Sequence, residues 1–267
     1  SLANLLNEAA IVAARRDKEE ISTAEVEFAL DRLTVGMEKR TGMKDKKRQE
    51  LVAYHEAGHA LVAALTEGFD EVGKVTIIPR TNGAGGFTLF LPSDEQQDSG
   101  MYTKKYLESR LVVALGGRVA EELRYGMDDV TTGASGDFQQ VSSLARNMVT
   151  QWGFASEELG ATAWESPQGT SMGSAQMASE ATQVRIDAEV EKIVRKAYAR
   201  GRKLLEDNRA LLDEVSETLI REETIDNDQL LDLVSKAGVL PKGKGERFAQ
   251  LKAMEQALLE GNAPVPA

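Results

Sequence analysis

Cysteine is absent from the 267 residues of this chain. Disulfide staples are therefore excluded, and so is any zinc site built from thiolates. A metal ion here must be held by histidine, carboxylate or water. Histidine is itself scarce, with only two in the sequence. An excess of positive charge is also missing. The formal net charge is −11 and the isoelectric point near 4.9, which argues against a nucleic-acid-binding surface. No apolar run reaches the ~18 residues of a membrane-spanning helix, and no signal-peptide pattern opens the chain. What is present is a 42% apolar fraction, enough for a hydrophobic core, in a length that suits one large or two smaller domains. Helical sequence begins almost at once, at Ser1-Leu2-Ala3-Asn4, which reads as a cut inside a longer protein.

The two histidines fall together in His55-Glu56-Ala57-Gly58-His59. On a helix, positions i and i+4 share one face, so both imidazoles can reach the same ion. The glutamate after the first histidine can then face the metal's water and act as general base. The blander reading, two histidines on a solvated face, is disfavoured by the specificity of the motif on a sound helix. Residues 45–65 supply such a helix: they contain no proline, and Leu51, Val52, Tyr54, Leu61, Val62 and Leu65 give an apolar face. Gly58 costs that helix about 1 kcal/mol relative to alanine. It suits either close approach of another segment or packing.

Along the chain, residues 2–16 read as an amphipathic helix. Ser22-Thr23-Ala24-Glu25 reads as a capping box opening a second helix to about Leu33. A basic linker spans residues 36–44. Residues 72–79 (VGKVTIIP) and 87–91 read as strands on either side of an Asn82–Gly86 turn. Residues 103–125 predict a long helix with a small-residue break at Gly116-Gly117, and Ser135 is placed as cap of a helix to about Trp152. Residues 157–175 are loop-like, and residues 178–237 are almost all helix in about three pieces. A charged tail follows from Pro241. No internal repeat is visible. The fold class predicted is mainly α, with a small β-sheet beside the metal helix.

Two histidines do not complete a catalytic site, which normally takes three protein ligands and one water. The third must be acidic here. Chemistry leaves two places open: Glu121 or Glu122 on a downstream helix, and Asp137 in the loop Thr131-Thr132-Gly133-Ala134-Ser135-Gly136-Asp137. An acid in a first helical turn is common without any metal, so spacing alone does not choose. Two imidazoles and one carboxylate suit zinc better than magnesium or calcium. Two other motif matches are discarded. Gly169-Thr170-Ser171-Met172-Gly173 has no histidine after it to complete a nucleophile elbow. Gly238 to Lys244 lacks the strand before it and the Ser or Thr after it that a P-loop requires.

The runs LVAYHEAGHALV, KVTIIPR, GGFTLFLP, LGGRVAEEL and VTTGASGDFQQVSSLARNMVTQWG, in this order, resemble the FtsH family of membrane-anchored, ATP-dependent zinc metalloproteases. Residues 1–40 resemble the last helices of that family's AAA+ lid. The resemblance implies a zinc peptidase domain over residues 41–240 and a flexible charged tail over 241–267. It implies one Zn2+ held by His55, His59 and Asp137, Glu56 as catalytic base, and Glu121 behind a histidine ring. ATP and Mg2+ would belong only to an ATPase part outside this chain. The resemblance further implies unfolded polypeptide substrates in protein quality control, a homo- or hetero-hexamer, and membrane attachment through segments not in this chain. The stretch LPSDEQQDSGMYTKKYLESRLVVALGG looks most like the plastid and cyanobacterial branch, hence a chloroplast thylakoid or cyanobacterial membrane. Gly85, Gly86, Phe87 and Thr88 either offer a sheet edge to extended substrate or pack into the core; edge exposure is not legible in sequence. The rival readings are a proteolytically silent metal-binding scaffold, whose usual sign would be a replaced Glu56, and a helical adaptor without chemistry.

Overall fold

The computed structural model describes residues 2–34, 36–38, 45–81, 83–92, 100–164 and 178–244. The expected tail beyond Lys244, the Gly169–Gly173 stretch and most of the 36–44 linker lie outside the described residues. In chain order the elements are α1 (Leu2–Arg15), α2 (Thr23–Thr34), α3 (Lys46–Leu65), β1 (Glu71–Thr76), β2 (Phe87–Leu91) and α4 (Lys104–Tyr125). Then come α5 (Ser135–Thr150), α6 (Ser156–Leu159), α7 (Glu180–Asp207), α8 (Arg209–Glu222), β3 (Thr224–Asp226) and α9 (Asn227–Lys236). The protein is mainly α, with one three-stranded antiparallel sheet in the order β2-β1-β3.

Helix α3 is the centre of the core. Asp45 caps it by accepting from the Lys47 N–H. From Ala53 to Ala64 every residue except His55 is buried, so the helix is packed all round rather than on one stripe. Alanines at 53, 57, 60, 63 and 64 keep it slim, and α4, α7, α8 and the sheet close around it. Leu61, Leu111, Leu115, Met148, Leu212, Leu219 and Ile225 fill the space between. A hydrogen bond of 2.8 Å from the Tyr54 hydroxyl to Asp213 ties α3 to α8.

Helix α4 runs unbroken through Gly116-Gly117, against the expected break. The reason lies across the interface. A Cβ on Gly58 would stand 2.4 Å from the Gly116 carbonyl oxygen, and a Cβ on Gly116 would stand 2.7 Å from the Gly58 oxygen. The glycines are the crossing point of two helices in backbone contact, not a hinge. Ser135 is likewise not the cap of α5. Ala134 holds that place with no side-chain bond, and Ser135 is already helical. The helix ends at Thr150 rather than Trp152, β1 ends at Thr76 rather than Pro79, and the loop after residue 156 contains the short helix α6. Strand β3 was not anticipated, because three residues carry no periodic signal; its pairing with β1 (Val75 opposite Ile225) makes it a strand. Asp226 then starts α9 through a capping box with Gln229.

The α1–α2 pair joins the rest through a small polar seam. Asp31 accepts from Lys74 Nζ at 2.5 Å, and the Met37 and Thr81 backbones are linked by a 2.9 Å bond. The box at Ser22 is half formed: Glu25, itself buried, accepts the Ser22 N–H and hydroxyl, but also bonds to the exposed Arg16 and Lys18.

Candidate functional site

His55 and His59 lie one turn apart on α3, with ring centroids 4.7 Å apart. Each ring is held from behind through Nδ1. His59 Nδ1 is 2.8 Å from the Val113 carbonyl oxygen on α4, and His55 Nδ1 is 2.8 Å from Glu121 Oε1 on the same helix. A carbonyl only accepts, so His59 carries its proton on Nδ1; the ionised Glu121 sets the same tautomer at His55. Both Nε2 lone pairs therefore face forward, 3.1 Å from each other. Asp137, in the first turn of α5, brings Oδ2 to 3.3 Å from His55 Nε2 and 3.6 Å from His59 Nε2.

Two lone pairs and a carboxylate oxygen pointed at one spot repel one another unless a cation or proton stands between them. Ligands around a tetrahedral ion with bonds of roughly 2.0–2.1 Å stand about 3.3 Å apart. The observed 3.1, 3.3 and 3.6 Å separations fit that shell. Among the described residues this is the group whose ligand atoms, all within 4.8 Å of one another, could hold a metal ion. In the protein alone, burial acts against a charged His55, but the Asp137 and Glu121 carboxylates outweigh it and push its pKa up to about 10. Asp137 is held well below the usual carboxylate range: burial would raise it, and the two histidines more than compensate.

Of the acids that sequence chemistry left open, Asp137 meets both Nε2 atoms and Glu121 does not. Glu121 is fully buried behind His55, where Oε2 accepts from both the N–H and the hydroxyl of Thr131, at 3.0 and 3.1 Å. Glu122 turns elsewhere, to Arg118 at 2.7 Å and to the Tyr198 hydroxyl on α7. Gly117 was read as part of a break, yet its place is dictated by the site. A Cβ there would lie 2.5 Å from His59 Nε2 and 2.6 Å from His55 Cε1. Thr131 and the Val113 carbonyl also escaped the sequence reading. Thr131 stood in a quoted motif, but nothing local shows that its partner is Glu121.

Glu56, between the histidines, is buried and accepts from the Thr88 hydroxyl of β2 at 2.9 Å. Burial raises its pKa above the ordinary value, against the pull of both histidines. A cavity of about 690 Å³ opens in front of these groups, lined by His55, Glu56, His59 and Asp137 on one side and by residues 84–88 on another. Strand β2 is an edge of the sheet. Gly86 is pinned there, since a Cβ on it would stand 2.5 Å from the Thr76 carbonyl oxygen and 3.0 Å from Glu56 Cγ. Gly85, Gly86, Phe87 and Thr88 thus border the cavity and pack against α3 and β1 at once.

The family model described as peptidase family M41 matches residues 42–233. The ATP-dependent zinc metalloprotease FtsH 3 of Synechocystis sp. is 47% identical over 239 residues, covering 88% of this chain and 38% of that protein. The chloroplastic ATP-dependent zinc metalloprotease FTSH 1 of Oryza sativa subsp. japonica is 47% identical over 237 residues, 87% of this chain and 34% of that protein. A Synechococcus sp. ATP-dependent zinc metalloprotease FtsH is 48% identical over 244 residues, 90% of this chain and 38% of that protein. The chain spans little more than a third of the length of these relatives. The matched span contains both imidazoles, all the acids around them and the helices that hold them, and by that match this protein belongs to peptidase family M41.

Proposed function

We propose that the chain is a zinc-dependent endopeptidase domain. The observation that carries this reading is the convergence of His55 Nε2, His59 Nε2 and Asp137 Oδ2 beside a buried glutamate at the wall of an open cavity. His55, His59 and Asp137 would hold the ion. Zinc, when bound, supplies Lewis acidity and lowers the pKa of its water. Glu56 takes the proton of the attacking water and returns it to the leaving amine, and Thr88 fixes the carboxylate that does so. Glu121 and the Val113 carbonyl keep both imidazoles in the ligating tautomer. The β2 edge, from Gly85 to Thr88, pairs by main-chain hydrogen bonds with an extended substrate. Such pairing reads little sequence and suits unfolded polypeptides.

In the whole protein, this domain works under an ATP- and Mg2+-dependent motor lying outside this chain. Residues 1–40 are its last lid helices, residues 41–240 the peptidase domain and residues 241–267 a charged tail. The assembly is a hexamer, of one or several chain types, that removes unfolded or damaged membrane and soluble proteins. Membrane attachment belongs to other segments: among the described residues no helix is long and apolar enough to cross a bilayer. The cyanobacterial and chloroplastic relatives favour a thylakoid or cyanobacterial membrane. Casein degradation by the full-length protein with ATP, wild type against Glu56→Gln, tests the reading. Activity retained by the variant overturns Glu56 as the proton acceptor, and a protein that takes up no zinc overturns the whole reading.

A further inference from the structure

Asp137 reaches the imidazoles from a segment with almost no core of its own. Among the described residues from Gly126 to Asp137, Ala134 alone is buried, and most of the others are exposed. Helix α5 also opens without a side-chain cap. So few buried apolar contacts leave a segment free to open locally, and its position must come from polar contacts. These converge on Thr131. Its N–H and hydroxyl donate to Glu121, and its carbonyl accepts from Arg118 Nη1 at 3.4 Å. The hydroxyl also accepts from the Gly133 N–H at 3.1 Å. Arg118 and Glu121 stand three residues apart on one face of α4, so the helix grips this threonine from two sides. Arg118 is itself anchored. Its Nε donates to Glu122 Oε1 at 2.7 Å, and Glu122 Oε2 accepts from the Tyr198 hydroxyl of α7. The Arg118 guanidinium carbon also lies 5.8 Å from the centre of the Phe138 ring, and Phe138 follows Asp137 directly in the chain.

We propose that Arg118 is a positioning residue of the metal site. By holding the Thr131 carbonyl on one side and the Phe138 ring on the other, it sets where Asp137 Oδ2 stands relative to the two Nε2 atoms. Arg118 does not line the cavity, so it acts through these neighbours and not on substrate. The role needs the shape of the side chain as well as its charge. A planar guanidinium donates in several fixed directions and stacks on a ring, whereas an ammonium is a point charge on a flexible stem. A lysine at 118 neutralises Glu122 but leaves the Thr131 carbonyl without its donor and Phe138 without its stacking partner. The simpler role, in which Arg118 is only the counter-charge of the buried Glu122, depends on charge alone. The two roles therefore separate in variants that change one property at a time.

This role rests on the zinc-peptidase reading, and its test separates the two. Wild type, Arg118→Lys, Glu122→Gln and Phe138→Ala are titrated with Zn2+ against a chromophoric chelator. The same proteins are titrated with Co2+, whose visible absorption reports the geometry of the ligand shell. Arg118→Lys should weaken zinc about 10- to 100-fold, the scale of losing an outer partner of a metal site, and should change the Co2+ spectrum. Glu122→Gln removes the charge but keeps an oxygen for Arg118 Nε, so zinc affinity and spectrum should stay near wild type. Phe138→Ala alters a side chain that is 41% exposed and spares the fold. It should weaken zinc about two- to fivefold, the scale of an exposed cation–π contact. Added to Arg118→Lys it should cost little more, since both remove one contact. Zinc affinity of Arg118→Lys within about twofold of wild type, an unchanged Co2+ spectrum, or an equal loss in Glu122→Gln overturns the proposal while the peptidase reading stands. Should Arg118→Lys fail to fold, full zinc affinity in Phe138→Ala overturns it. Wild type that binds neither metal overturns the peptidase reading and this role together.

Discussion

Gly58 and Gly116 touch backbone to backbone: a Cβ on the first would lie 2.4 Å from the carbonyl oxygen of the second. This contact sets the distance between α3 and α4. It places Gly117 under the imidazoles, the Val113 carbonyl behind His59 and Glu121 behind His55.

Gly58→Ala therefore sets two effects against each other. Helix propensity gains about 1 kcal/mol, whereas overpacking against a main-chain atom that cannot rotate away costs typically ~1–3 kcal/mol. The clash wins because both partners are backbone. The variant should melt several degrees lower, at roughly 2–4 °C per kcal/mol for a domain of this size, and should bind zinc more weakly. Calorimetry and zinc titration check it; a variant as stable as wild type would mean that the helices separate at little cost.

Asp137→Ala should nearly abolish zinc binding, because it removes an atom that meets both Nε2 groups. Glu121→Ala should keep metal with an affinity reduced about 10- to 100-fold, the usual effect of losing a partner behind a ligating histidine. Competition against a chromophoric chelator reads both. The opposite ranking would make the buried glutamate the ligand.

Thr88→Val removes the hydroxyl that holds Glu56 Oε2. Peptide cleavage should fall about tenfold, the scale of a hydrogen bond to a charged group, while zinc stays at one ion per chain. Loss of zinc together with activity would instead show that β2 supports the metal ligands.

Glu25 carries an acid-sensitive contact far from the metal. The Ser22 and Lys18 hydrogen bonds, helped by Arg16 and opposed by burial, hold its pKa down to about 2 from 4.5. A carboxyl with a lowered folded pKa contributes stability above its unfolded value and loses it as pH falls toward the folded one. The α1–α2 pair should therefore loosen between about pH 4.5 and 2, and Glu25→Gln should remove that dependence. Amide-exchange protection of residues 2–34, corrected for intrinsic rates, reads it. Unchanged protection of the wild type across this window would show that the Glu25 contacts add nothing to the hairpin.

Much of this was legible in the chain itself. Residues 55–59 carry helix, candidate ligands and candidate base in one run, because a metal-binding face at i and i+4 is a local pattern. Strand β2 also follows from neighbouring residues. Asp137 was one of several acceptable acids until the resemblance singled it out. By chemistry alone it was equivalent to Glu121 and Glu122, which differ from it only in where the folded chain points them. The glycine pair was misread for the same reason. Gly116-Gly117 weakens a helix in isolation, and nothing within the helix shows that another glycine faces it.

The amino-acid sequence by itself determined the metal-binding helix, the absence of thiolate ligands, the mainly helical class and the small sheet, since each depends on composition or on residues within a turn or a strand of one another. Only the tertiary structure decided that the Val113 carbonyl backs His59, that Thr131 fastens Glu121, and that Asp70 and Arg110 share one cavity with His55, His59 and Asp137. Those relations join residues ten or more positions apart, and they meet around the imidazoles only because α3 and α4 cross at two glycines and pack to main-chain contact.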